Sequence, residues 1–165
     1  MNAAERRVLI ERYREGYAEL VAALAEITRD ELDAHPFPGE WSAREVAHHL
    51  ADAEMIGAVR LRRLLAEDHP TLAEYDEQEY ARRLHYGRPI ESSLAVVEAV
   101  RRATSDLLRR MTEAEWARGG AHTELGDYSV ERWLQGYAAH CHDHADQIRR
   151  LRAAVADAPA GPTQP

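Results

Sequence analysis

Along four long stretches of the chain, apolar residues recur at intervals of three and four, the spacing that keeps one stripe of an α-helix against a core. The first stretch runs from about Ala3 to Ile27, the second from Ser42 to about Glu67, the third from near Pro89 to near Met111, and the fourth from Ser129 to about Ala156. Shorter helical runs are expected near Asp30–Ala34, Leu72–Leu84 and Glu113–Trp116. The helix starts carry a repeated signal, an Asn, Ser or Thr followed three residues later by Glu: Asn2/Glu5, Thr28/Glu31, Ser42/Glu45, Thr71/Glu74 and Thr112/Glu115. In such a capping box the two side chains satisfy the orphan N–H groups of the first turn. Pro89 suits a first helical position. Between Ala117 and Tyr128 lie three glycines and no clear period, so a loop or a small hairpin is expected there. No alternating β pattern of useful length and no internal repeat is visible. The pattern predicts an all-α fold: a four-helix bundle with short connecting helices over residues 1–156. The tail over residues 157–165, ending "APAGPTQP", has nothing to bury and is expected to be disordered.

Composition narrows the function classes. The chain has 165 residues, 45% hydrophobic and 30% charged, with a formal net charge of −8. An acidic chain does not suit general binding to a phosphate backbone, so no nucleic-acid partner is expected. No apolar run approaches a membrane span and no signal-peptide pattern opens the chain, so no membrane partner is expected. The single cysteine, Cys141, rules out an internal disulfide, and a reducing, cytoplasmic location is the default. All 21 residues of the Lys+Arg count are arginine, which excludes Schiff-base chemistry, a lysine general base and a lysine phosphate loop.

Candidate chemistry sits in "HCHDHADQI", residues His140 to Ile148. The stripe of the fourth helix reads Val130, Trp133, Tyr137, Cys141, His144, Ile148, Leu151, Val155, so His144 stands where a leucine is expected. His140 lies one turn earlier on the same side, roughly 40° round the axis, whereas His142 is roughly 200° away from His140 and should meet solvent. On the second helix, Val46, Leu50, Ala53, Ile56 and Gly57 mark the buried side, and His49 belongs with them. His48 aligns with Arg44 and Asp52 on the wetter side.

A lone core histidine is more often a hydrogen-bonded packing residue than a ligand, and His-x-x-x-His pairs occur by chance on many helices. Here three histidines on two helices face one core. Burying them without partners costs on the order of a few kcal/mol each. A metal ion removes that cost and ties the two helices together. Other chemistries fit less well. Ser42 and Ser129 are committed as helix caps, and Cys141 has no evident neighbouring base and reads as a small core residue. The zincin motif needs Glu directly after the first His, where Cys141 stands. A di-iron bundle needs inward Glu-x-x-His pairs, which neither helix supplies.

The segments "WSAREVAHHLADAE" (Trp41–Glu54) and "YAAHCHDHADQI" (Tyr137–Ile148) together resemble the DinB/YfiT-like superfamily of metalloenzymes. The resemblance spans nearly the whole chain through helix order and length. It implies an up-down-down-up bundle with a divalent metal held by three histidines, which fall on His49, directly before Leu50, and on His140 and His144. Gln147 and Ile148 match the family's trailing Gln-Ile. It further implies a thiol-dependent S-transferase, of bacillithiol, mycothiol or glutathione type, in detoxification or stress response. One relative is a mycothiol-dependent isomerase. A low-molecular-weight thiol would then be a cosubstrate beside a small-molecule substrate, and a homodimer is plausible because family members often pair. The alternatives are a non-catalytic, metal-stabilised bundle acting as a binding or stress-response module, and a metal-dependent hydrolase.

Three neutral imidazoles leave open coordination positions, the mark of a catalytic site. Zn or Ni is the expected ion, with Fe, Mn or Cu compatible. A metal-bound His usually donates its other N–H to a nearby acceptor. Asp52, one turn after His49, Asp143, beside His144, and Gln147 are the candidate acceptors. Tyr137, one turn before His140, is a candidate for the pocket wall, and Trp41 is expected to staple the start of the second helix.

Overall fold

A computed structural model describes residues 1–157. The tail expected to be disordered lies outside the described residues, except Asp157, which caps the last helix through its N–H to Ala153 O. Four long helices dominate: α1 (Ala3–Leu24), α3 (Ala43–Ala66), α5 (Glu91–Leu108) and α7 (Val130–Ala156). Between them lie α2 (Arg29–Asp33), α4 (Glu77–Arg83) and α6 (Glu113–Trp116). Three short strands complete the order: β1 (Thr71–Leu72), β2 (Gly119–His122) and β3 (Gly126–Ser129).

Capping boxes form at Asn2/Glu5, Thr28/Glu31, Ser42/Glu45 and Thr112/Glu115, opening α1, α2, α3 and α6. The Thr71/Glu74 pair opens no helix. Thr71 belongs to β1, and α4 starts later behind Asp76, whose side chain accepts from Glu79 N. α1 stops short of Ile27, because Glu26 takes a left-handed φ of 53° that a helix cannot continue. α5 begins behind Ile90 without a side-chain cap and ends before Met111.

The expectation of a purely α-helical chain is corrected by the sheet. β1 runs parallel to β2, pairing Thr71 with Ala121 and Leu72 with His122. β2 and β3 form a hairpin from Gly119↔Ser129 to His122↔Gly126. Gly126, at φ 70°, turns it. Gly120 is needed for the β1–β2 approach, since a Cβ there would stand 2.4 Å from Pro70 O. Pairing across about fifty residues leaves no local period in strands this short.

The long helices pair in fixed directions. Arg6 meets Glu131 at the start of both α1 and α7, and Arg149 meets Glu19 near their ends, so these two helices run parallel. Along α3 and α5, His48 meets Ser93 and Glu54 meets Arg101, again parallel. Between α3 and α7 the order reverses, His49 meeting His140 and Gly57 O accepting from Trp133 Nε1 at 2.8 Å. One apolar cluster gathers Leu20, Val46, Leu50, Val97, Cys141 and Ile148. A second gathers Tyr13, Leu61, Leu64, Leu108, Trp133 and Leu134. Burying these stripes is the main stabilising term, at roughly 25 cal/mol per Å² of apolar surface. No helix among the described residues is long and apolar enough to cross a membrane.

Candidate metal centre

Regular helix geometry on α3 and α7 brings His49, His140 and His144 together. Each offers a ring nitrogen, and these three atoms lie within 4.8 Å of one another. His140 Nε2 stands 3.3 Å from His49 Nε2 and 3.2 Å from His144 Nε2. The nitrogens that coordinate one ion at ~2.1 Å in tetrahedral or octahedral geometry stand about 3.0–3.4 Å apart. The two distances from His140 fall in that range, so the rings are spaced as ligands of one ion could be. They meet edge to face, with centroids 4.7 to 5.3 Å apart.

Protonation is suppressed at all three. Burial pushes the His49 imidazolium down to about 3, with the His144 ring adding to the shift. Burial likewise holds His140 well below its ordinary value, assisted by His144, His49 and Arg101. His144 is lowered by burial against an opposing hydrogen bond to Gln147. Neutral rings keep the lone pairs that a cation needs. The tautomer of His144 follows from Gln147, whose Oε1 lies 2.7 Å from His144 Nδ1 and can only accept. The proton therefore sits on Nδ1, and Nε2 faces its two neighbours with a free pair. The Nδ1 atoms of His49 and His140 are buried and have no partner.

The candidate acceptors separate. Gln147 touches His144, as described. Asp52 is buried but accepts from Tyr86 Oη at 2.7 Å, leaving His49 Nδ1 unbonded. Asp143 is exposed beside His144. The two His144 ring nitrogens are met by Gln147 and His140 instead. Trp41 packs on His49 with ring centroids 4.6 Å apart.

His48 corrects the expectation of a wet face. It is fully buried, with Nδ1 2.8 Å from Ser93 Oγ and Nε2 3.0 Å from Arg88 O. Helix periodicity gave its direction on α3 correctly, but α5 and the segment before it cover that direction. His142 lies away from the other three, its Nε2 2.9 Å from Arg12 O on α1. Cys141 is buried, and burial pushes its thiol up to about 12, so it offers no nucleophile.

A cavity of about 230 Å³ opens beside His140. Tyr137 and Gly136 line it from α7, Ala53 and Arg60 from α3, Glu74 and Tyr75 from the segment joining β1 to α4, and Glu77 from the start of α4. Gly57 makes room for the Tyr137 ring, since a Cβ there would stand 2.3 Å from Tyr137 Cε1. Sequence reasoning found Tyr137 but missed Arg60, Glu74 and Tyr75. Arg60 reads as one of many arginines, and Glu74 was assigned to a capping box that does not form.

Fold and site define a class: a four-helix bundle that gathers three imidazoles from two helices at the edge of an open cavity. The chain belongs to the DinB superfamily, whose family model matches residues 12–148. It is 34% identical over 126 residues to a protein of Oceanobacillus iheyensis named as a candidate metal-dependent hydrolase, covering 76% of this chain and 73% of that one. A protein of Bacillus mycoides named in the same way is 27% identical over 134 residues, covering 81% and 78%. Among solved structures, YfiT from Bacillus subtilis superposes with a TM-score of 0.89 at 27% identity, covering 94% of this chain and 90% of that one. It is described as a probable metal-dependent hydrolase with an unusual four-helix bundle topology.

Proposed function

We propose that the chain is a metal-dependent hydrolase of a small-molecule substrate, with a divalent cation, zinc or nickel first, held by His49, His140 and His144. The observation that carries this reading is the convergence of three neutral ring nitrogens within 4.8 Å of one another, His140 Nε2 standing 3.2 to 3.3 Å from each of the other two, beside a cavity that a substrate can enter. The names of the relatives support it. When bound, such an ion supplies Lewis acidity and brings water toward a pKa of ~7. The chain's own side chains do the rest. Gln147 holds His144 in the binding tautomer, and Trp41 excludes water from the far side of His49. Arg60 and Tyr137 present a cation and a hydroxyl to polar groups of the substrate. The same reading takes the bundle as up-down-down-up, which the parallel α1/α7 and α3/α5 pairs support.

Thiol S-transfer, with a role in detoxification or stress response, is the second reading. Cys141 is buried and its thiol is pushed up to about 12, so any sulfur nucleophile must come from a cosubstrate such as bacillithiol, mycothiol or glutathione. One experiment separates the readings. Purified protein is loaded with zinc or nickel, checked by elemental analysis, and assayed against an ester and amide panel and against a haloarene with each thiol. Hydrolysis that disappears in His140→Ala supports the first reading. Conjugation without hydrolysis supports the second. Stoichiometric metal with neither activity leaves a metal-stabilised bundle, and absence of bound metal overturns the site.

A further inference from the structure

The small sheet fixes one acidic side chain beside the cavity. β1 and β2 fasten the start of the segment that follows β1, through Thr123 N to Leu72 O at 3.0 Å, and Glu74 N donates to Thr123 Oγ1 at 2.9 Å. This delivers the Glu74 carboxylate to the wall of the cavity that also contains His140. Three groups address that carboxylate, the first being the Tyr75 backbone N–H, which donates to Oε1 at 3.0 Å. Arg60 Nη2 stands 3.7 Å from Oε1, with its side chain 11% exposed. His122 Nε2 stands 3.2 Å from Oε2, with its side chain fully buried.

The tautomer of His122 is fixed by its surroundings. Its Nδ1 accepts from the backbone N–H groups of Glu124 and Leu125, each at 3.3 Å, so the ring proton sits on Nε2. That N–H has no well-aligned partner, and Glu74 Oε2 is the acceptor in reach. A buried unpaired donor costs about 1–3 kcal/mol. The chain retains this one, 3.2 Å from a carboxylate oxygen on a cavity wall. A carboxylate steadied by a neutral imidazole is the arrangement that positions a proton acceptor.

We infer that Glu74 is the proton-transfer residue of this site, with His122 as its positioning residue. The inference rests on the hydrolase reading. Glu74 takes a proton from the attacking water as the water oxygen bonds to the substrate carbonyl carbon. It returns that proton to the leaving atom as the carbon–leaving-group bond breaks. No oxidant or further reactant is needed. Glu77 lines the same cavity but is exposed on α4.

Two measurements test this. In the metal-free protein, ¹⁵N-edited NMR of the imidazoles should show His122 protonated at Nε2, with that resonance shifted in Glu74→Gln. An Nδ1–H tautomer, or a resonance indifferent to Glu74→Gln, overturns the dyad. In the metal-loaded protein, Glu74→Gln should lower kcat by roughly 10²–10⁴-fold at unchanged KM, metal stoichiometry and melting temperature. His122→Phe should lower kcat about 10–100-fold, by analogy with outer-shell partners, and His122→Gln, which restores a donor, should recover most of it. Wild-type turnover with an unimpaired Glu74→Gln overturns this inference alone. A metal-loaded wild type that hydrolyses nothing overturns the hydrolase reading and this inference with it.

Discussion

Arg101 Nη2 lies 2.7 Å from Glu54 Oε1 in the middle of the bundle, with side-chain exposures of 1% and 0%. The pair binds all four long helices. Arg101, on α5, also donates to Tyr13 O on α1 and to Tyr137 O on α7, the latter at 3.0 Å, while Tyr13 Oη donates to Glu54 Oε2 at 2.8 Å. Gly16 leaves the space, since a Cβ there would stand 2.3 Å from the guanidinium. Burial alone pushes the Glu54 carboxyl up toward its neutral form, and Arg101 and Tyr13 draw it back. Removing one partner strands the other charge. Glu54→Leu or Arg101→Met should therefore destabilise the fold by about 3–5 kcal/mol, measured by urea unfolding. The double change to apolar residues should recover most of that loss.

The histidine cluster should change the sign of a mutation's effect. His140 Nδ1 is buried without a partner, so the metal-free protein carries its desolvation cost. His140→Leu should raise the stability of the metal-free chain by about 1–3 kcal/mol. In saturating zinc or nickel the order should reverse, because only the wild type gains binding energy. Melting curves with chelator and with metal check both halves. A His140→Leu chain less stable under both conditions would show that the histidines are packing residues.

Gly57 and Tyr137 form a tight pair across α3 and α7. Gly57→Ala should cost about 1–3 kcal/mol, because the added Cβ overlaps the Tyr137 ring and no backbone shift is cheap there. Trp133 stacks on that ring with centroids 4.7 Å apart, which blocks its retreat. Combining Gly57→Ala with Tyr137→Ala should give a total smaller than the sum of the single effects, as a double-mutant cycle would read.

Glu31 gives the pH dependence. Its carboxyl is lowered from 4.5 to about 2, first by the Thr28 backbone N–H and then by Arg152. A depressed folded-state pKa means that the anion stabilises the native state. That contribution is complete above 4.5 and is lost as the pH falls from 4.5 toward about 2. Glu31→Gln should lower the melting temperature at neutral pH, and the gap to wild type should close near pH 2. A gap that persists there would mean that the hydrogen bonds act independently of charge.

Much of this was readable in the residues, for identifiable reasons. The four capping boxes that form are local signals, complete within four residues, and so they placed α1, α2, α3 and α6. Periodicity placed His49, His140 and His144 on inner faces, because a helix fixes direction residue by residue. What failed was non-local. Thr71/Glu74 has the local form of a cap, but Leu72 is claimed by β2 from far along the chain. His48 points where the period said, and α5 arrives to cover it. Arg60, Glu74 and His122 carry no spacing signal, since three separate elements bring them together.

His49 and His140 are 91 residues apart in sequence yet touch in space. Their meeting requires α7, made well after α3, to settle against it. An emerging or partly unfolded polypeptide has no seat for the ion, only separate weak ligands. If the proposed centre holds a cation, capture is thus reserved for the finished molecule, and metal content would measure how many chains in a preparation have completed their assembly.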